Sequence, residues 1–290
     1  MTTNEPVFST AVALETLRNL RRAAPLTHCI TNYVTANDCA NVLLAFGASP
    51  IMADEPAEVE EIVALSSGLV VNLGTLNRST VDAMFAAARR ANELGIPAVL
   101  DPVGVGASRL RTETARRLLN EIRFAAIRGN VSEIGALAFG VGSVRGVDAA
   151  VADAVSEVNR RAVAERLREF AAAFRTTVVA SGALDLVVDA ERFATVRNGS
   201  SWAARITGAG CMSTAVLGAC VAANWERVWK AAVAATAAFG VCGEIAERRT
   251  VERGGGTATF RTELIDAAST TEPERFAELL RVEAEIFGGV

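Results

Sequence analysis

Four short stretches of this sequence combine residue types that chemistry needs. The first is Thr207-Gly208-Ala209-Gly210-Cys211, which runs directly into the apolar stretch from Met212 to Ala223. Glycines at 208 and 210 let the backbone turn tightly and approach a ligand closely. A helix starting there offers free N–H groups and the positive end of its dipole, which together suit a nucleotide phosphate. Cys211 at such a helix start is expected to have a lowered thiol pKa. The same five residues also make an ordinary loop-to-helix turn over a buried cysteine. The second stretch is Asp101-Pro102-Val103-Gly104-Val105-Gly106, an Asp directly after a hydrophobic strand. Open α/β sheets bind ligands at such strand ends. The carboxylate there either holds a magnesium ion, directly or through water, or closes a turn.

The third stretch, Arg128-Gly129-Asn130-Val131-Ser132-Glu133, also follows a strand. The planar fork of Arg128 suits a phosphate. Asn130 with Glu133 three residues on also has the form of a helix capping box. Both readings are compatible, because a cap at a strand's carboxyl end lies in the ligand crevice. The fourth is His28-Cys29-Ile30-Thr31-Asn32, with Gly47-Ala48-Ser49-Pro50-Ile51-Met52 further on. Asn32 is suited to hydrogen-bond a polar ring or hydroxyl, and Met52 to pack on an apolar heterocycle. The alternatives are a capping Asn and a core Met. His28, the single histidine, would have to serve any Ser-His-Asp hydrolase, and no GxSxG elbow is present. It is expected to be structural or to support a neighbouring site residue. A Walker A string and a GxGxxG fingerprint are both missing, which argues against P-loop and dinucleotide enzymes.

These stretches need elements to hold them. Strands are expected at Leu69–Leu73, Pro97–Asp101, Ala125–Arg128 and Thr176–Ala180, with helices over Val81–Leu94 and Thr112–Ile122. Strands alternating with helices at this spacing indicate βαβ units and a mainly parallel sheet. Two apolar runs between Leu184 and Val196 flank Asp189-Ala190-Glu191-Arg192 and predict an antiparallel hairpin at the sheet edge. From Gly208 the pattern is helical almost to the end, interrupted by a turn at Gly254-Gly255-Gly256. Val147 to Phe174 reads as one or two exposed helices. One α/β domain over residues 1–290 is the simplest organisation.

Composition sets the remaining bounds. The 290 residues are 51% apolar and 21% charged, with a net charge of −4. That supports a large Ala/Val/Leu core and argues against disorder. The chain lacks any Lys/Arg run beyond pairs such as Arg89-Arg90 and Arg116-Arg117, so nucleic acid is not an expected partner. Five cysteines without a CxxC pair fit a reducing, cytoplasmic setting better than a disulfide framework. The first ten residues do not read as a secretory signal. Met212–Ala223 is far short of the ~20 residues that span a bilayer, so no membrane partner is expected.

Taken in order, the motifs carry more than they do singly. PLTHCITNYVTANDCANVLLAFGASPIMADEPAEVEEI closely resembles the N-terminal signature of hydroxyethylthiazole kinases. The resemblance continues through VNLGTL, PAVLDPVGVGASRLRTETARRLL and IRGNVSEIGAL, resumes at ITGAGCMSTAVLGA, and reaches TFRTELIDA. It covers most of the chain from Pro25 to Ala267.

The resemblance implies a ribokinase-like fold, a central mostly parallel sheet with helices on both faces in three α/β/α layers. It implies ATP-dependent phosphorylation of 4-methyl-5-(2-hydroxyethyl)thiazole for thiamine synthesis, with magnesium and ATP. It implies a homotrimer with substrate sites between subunits. By position, Met52, Asn32 and Gly208 match substrate-binding residues, and Arg128 and Ser181 match ATP-binding ones. Asp101 and Glu133 match acids near the metal, and Cys211 takes the place of the catalytic cysteine. A hydroxymethylpyrimidine kinase of the same fold is the nearest rival, and a binding regulator without catalysis a more distant one. The chain departs from the family pattern at Ala209, where Thr is usual, and at Ser181, where Thr is usual. The segments 147–174 and 254–259 also look altered.

Overall fold

The structure, a computed structural model, describes residues 7–140 and 155–288. Helix α1 (Thr10–Ala23) precedes strand β1 (Leu26–Ile30), α2 (Ala36–Phe46), β2 (Ser49–Ile51), α3 (Val59–Leu65) and β3 (Gly68–Asn72). Then come α4 (Arg78–Leu94), β4 (Ala98–Asp101), α5 (Arg109–Glu121), β5 (Ala126–Asn130) and α6 (Val131–Phe139). After the undescribed segment follow α7 (Arg160–Phe174), β6 (Thr177–Ser181), β7 (Asp185–Val188) and β8 (Arg192–Val196). The chain closes with α8 (Ala209–Ala223), α9 (Val228–Glu252), α10 (Thr257–Thr270), α11 (Pro273–Leu279) and β9 (Val282–Ile286).

All these strands form one sheet in the order β2-β1-β3-β4-β5-β6-β7-β8-β9. Pairing is parallel from β2 to β6 and antiparallel from β6 to β9. Central strands are apolar on both faces because helices cover both. Side chains alternate along a strand: Leu69 and Val71 join one core, with α3–α7, while Val70 between them joins the other, with α1, α2 and α8–α11. Ala98, Val99 and Leu100 divide the same way. This is the expected three-layer arrangement.

β1 has β2 on one side and β3 on the other, so consecutive connections leave it in opposite directions. That is a topological switch point, where such sheets open a ligand crevice at their carboxyl ends. Helix α8 is set against this point. It is buried nearly all round, and Gly218 presses on the sheet so closely that a Cβ there would lie 2.3 Å from Val70 Cγ2. Its N-terminal Gly208, at φ +86°, thereby faces the strand ends.

Two expectations are corrected. The 185–196 hairpin forms, but it is not the sheet edge: β9 pairs antiparallel along β8, from Val196↔Val282 to Arg192↔Ile286. The chain therefore ends in a strand after its helices. Its alternation, Val-Glu-Ala-Glu-Ile, is a period-two signal, and Arg160, Arg161 and Arg197 hold the two glutamates at 2.7–2.9 Å. Of the stretch 147–174, residues 147–154 lie outside the described part. α7 is amphipathic rather than exposed, burying Val163, Leu167 and Phe170. The longest apolar helix is α9 with the short turn before it, Trp225–Glu252, long and apolar enough to cross a membrane by length and composition. Most of it is buried in the protein core against α1, α8 and α10.

Candidate active site

Three apolar strands end in polar residues at one level. β3 ends on Asn72 and β4 on Asp101, paired side by side. Asn32 follows β1 by two residues. The three side chains form a chain of hydrogen bonds: Asn32 Nδ2 donates to Asn72 Oδ1 at 3.0 Å, and Asn72 Nδ2 donates to Asp101 Oδ2 at 2.8 Å. Thr214, one turn along α8 from Cys211, donates to the same Asp101 oxygen at 2.7 Å. Both amide nitrogens also point at Cys211 Sγ, each at 3.3 Å. Asn32 Oδ1 in turn accepts from the Thr35 backbone and hydroxyl, both at 3.1 Å. Gly208 must be glycine here, since a Cβ would lie 2.5 Å from Thr35 Cγ2 on a left-handed backbone.

Burial governs the acid–base chemistry. Asp101 is fully enclosed, and desolvation lifts its carboxyl to about 6, against the pull of Arg128 and the two hydrogen bonds. The Glu133 charge adds to the rise. Cys211 goes the opposite way from expectation: burial and the nearby Asp101 carboxylate raise its thiol pKa, and the donors Asn72, Thr35 and Asn32 only moderate this. A helix N-terminus favours thiolate, but a neighbouring carboxylate in a dry site outweighs it.

Arg128, Asn130 and Glu133 come from β5 and the start of α6. The capping box is real, with Asn130 Oδ1 accepting from Glu133 N and Glu133 Oε2 accepting from Asn130 N, both at 2.9 Å. Glu133 does more than cap: its Oε1 accepts from Gly104 N at 2.8 Å, tying the loop after β4 to α6. Arg128 is half-buried, and among the described residues no acceptor lies within bonding distance of it; its Nε is buried without a partner. Gly210 leaves room for it, since a Cβ there would sit 2.7 Å from Arg128 Nη1. Ser181, at the end of β6 beside Asn130, donates to the Gly129 carbonyl at 3.3 Å.

Met52 packs on the core and also lines a cleft of about 150 Å³ with Thr31, Tyr33, Asp54 and Thr75. Thr31 and Tyr33 flank Asn32, so one loop serves both cleft and thiol network. Tyr33 is 81% exposed, leaving its side of the cleft open.

The structure thus brings Asn32, Asp101, Gly208 and Cys211 into one network, with Arg128 and Glu133 at its rim and Met52 in the adjoining cleft. Sequence reasoning missed Asn72, Thr214, Thr35 and Arg111. Arg111 donates to the carbonyls of Leu73, Val103 and Gly74 at 2.6–2.7 Å and so pins the loops after β3 and β4. Asn72 had a signal: it ends a LVVN run just as Asp101 ends AVLD.

Known proteins resemble this chain in sequence and fold. The family model described as hydroxyethylthiazole kinase family matches residues 17–274. A hydroxyethylthiazole kinase from Desulfovibrio desulfuricans is 51% identical over 265 residues, 89% of this chain and 93% of that protein. The structure of a hydroxyethylthiazole kinase protein from Pyrococcus horikoshii superposes with a TM-score of 0.82 at 34% identity, covering 95% of this chain and 99% of that one. At 14% identity, a pyridoxal kinase from Staphylococcus aureus in complex with AMP-PCP shares the fold, with a TM-score of 0.52 over 75% of this chain and 86% of that one. On sequence, fold and length together, the chain belongs to the hydroxyethylthiazole kinase family.

Proposed function

We propose that this chain, acting as one domain, transfers the γ-phosphoryl group of ATP to the hydroxyl of 4-methyl-5-(2-hydroxyethyl)thiazole at the carboxyl ends of β1, β3, β4 and β5. The observation that carries the reading is the meeting of three features at one switch point. These are a buried polar network ending on Cys211, an arginine with no hydrogen-bond partner among the described residues, and a glycine turn opening a helix.

Each residue has a part. Met52 and Asn32 hold the ring end of the alcohol, and Gly208 brings backbone close to its hydroxyl. Arg128, the first amides of α8 and Ser181 take the triphosphate. Phosphoryl transfer rests mainly on such positioning and charge neutralisation. Asp101 and Glu133 are the residues that would hold magnesium. No cluster of three or more acidic, His or Cys side chains among the described residues could cage a metal. Two carboxylates nonetheless fit magnesium, which keeps waters and takes phosphate oxygens. Once bound, it would neutralise charge on the phosphates.

Cys211 is a thiol at rest, so its share in proton removal is small. The transfer transition state is loose and the hydroxyl proton leaves late. Cys211→Ala is expected to keep measurable activity, with kcat falling by at most about 10²-fold, the bottom of the range for general base catalysis. Steady-state kinetics giving no detectable turnover would show that the thiol does more than this.

The open side of the cleft, where Tyr33 is exposed, supports a homotrimer whose subunits complete each other's sites. A cytoplasmic setting fits the five unpaired cysteines. ADP release with the thiazole alcohol, set against hydroxymethylpyrimidine and run over a dilution series, tests these points together. Turnover is expected with the thiazole alone, and specific activity should fall as dilution separates subunits. Turnover with the pyrimidine alone would sink the substrate assignment; activity unchanged in a proven monomer would sink the shared site.

A further inference from the structure

His28 is the chain's one histidine, and it is fully buried in β1. Its Nε2 lies 2.7 Å from the Ala53 carbonyl oxygen. A carbonyl only accepts, so Nε2 carries the proton and Nδ1 a lone pair. That Nδ1 is buried with no hydrogen-bond partner among the described residues. An unpaired buried polar atom is costly, and an apolar side chain would fill this strand position without that penalty. What the imidazole offers in return, among the described residues, is a single hydrogen bond, the one to Ala53.

That contact sits where backbone pairing stops. β2 is a three-residue edge strand, and its ladder with β1 ends at His28↔Ile51. Pro50 in its middle has no N–H to give. Residues 52–54 have no strand partner. Yet Met52 and Asp54, on either side of Ala53, both line the cleft, while His28 does not.

We propose that His28 is a positioning residue for the alcohol substrate: its Nε2–H adds one bond beyond the last β1–β2 pair and so fixes Met52 and Asp54 as the cleft wall. This rests on the reading of that cleft as the ring pocket. His28 acts through the 52–54 backbone and touches neither ATP nor the transferred group.

The test is a set of full-length variants assayed with both substrates. His28→Leu is expected to raise the KM for the alcohol about tenfold, the size of one lost hydrogen bond, with the KM for ATP within about twofold. His28→Gln, whose Nε2 can reach the same carbonyl, should recover most of the difference. Met52→Ala should also raise the alcohol KM, and adding His28→Leu to it should add little, because both act on one wall. If Met52→Ala leaves the alcohol KM unchanged, the cleft reading fails and this proposal with it. If Met52→Ala raises it but His28→Leu does not, or both KM values climb together, the positioning role alone is overturned. The wild-type enzyme gives an answer independent of any variant's folding. Its single imidazole should appear by NMR as the Nε2–H tautomer, shifting when the alcohol is added and not when ATP alone is added. An Nδ1–H tautomer, or a signal indifferent to the alcohol, overturns the proposal.

Discussion

Asp101→Asn is expected to abolish most of the activity while leaving the protein at least as stable as before. The activity side follows from place. Asp101 is the buried carboxylate at the switch point, bonded to Asn72 and Thr214 and close enough to Arg128, Glu133 and Cys211 for their charges to register. Losing that charge should cost about 10³-fold in kcat, at the upper end of single electrostatic groups in dry sites. Asp101→Ala with Glu133→Ala should reduce turnover to near background. The stability side follows from sign. The folded carboxyl titrates at about 6, above its ordinary 3.8. The native state therefore holds the proton more tightly, and this group's contribution to folding is full below pH 4 and lost as pH rises towards 6. Above that the buried carboxylate costs roughly 3 kcal/mol, at 1.4 kcal/mol per pH unit. An amide keeps an oxygen for Asn72 and Thr214 without the charge. In metal-free buffer, Asp101→Asn should thus gain about 1–3 kcal/mol at pH 7.5 and nothing at pH 4. Urea unfolding at the two pH values reads this directly; a variant less stable at pH 7.5 would show that the carboxylate is held by more than its two bonds.

The different fates of the sequence readings have physical causes. β3, β4, β5 and β6 were legible because strands buried on both faces read as unbroken apolar runs with sharp ends. Asp101 and Arg128 were legible for the same reason, being polar residues where such runs stop. β9 was not, because an edge strand with glutamates at 283 and 285 looks like a solvated helix until its arginine partners are known. The thiol of Cys211 was misjudged because local sequence shows the helix start but neither the burial of the site nor Asp101, 110 positions away in the chain yet close in space. Thr35 and Thr214 were missed because hydroxyls on helices are ordinary, and only the turn of Gly208 against Thr35 and the approach of Thr214 to Asp101 give them work. Met52 could be core or pocket from its type alone; just past the end of β2 it both packs on the core and lines the cleft.

Arg128→Met should be the most damaging change at the nucleotide end. Most arginines of this protein are spoken for: Arg111 holds three carbonyls, Arg197 two glutamates, and Arg261 grips the buried Asp38. Arg128 has no hydrogen-bond or ion-pair partner among the described residues, although its charge is felt by Asp101 and by Asp185. A half-buried guanidinium with an unpaired Nε is expensive unless an anion completes it. The space that glycine 210 leaves beside its Nη1 puts that anion at the start of α8, where the helix amides already point. Replacing the fork with an apolar chain of similar length should lower kcat/KM for ATP about 10³-fold, the lower end for arginines that neutralise a transferring phosphoryl group. Stability should change little, since a costly buried atom goes but so does the charge that eases the buried Asp101 and Asp185. Arg128→Lys restores charge but not the fork and should recover only part. Gly210→Ala, by pushing the guanidinium aside, should lose activity in the same direction and to a smaller extent. ATP kinetics in Arg128→Met within threefold of wild type would place the phosphates elsewhere, and the unpaired arginine would then need another explanation.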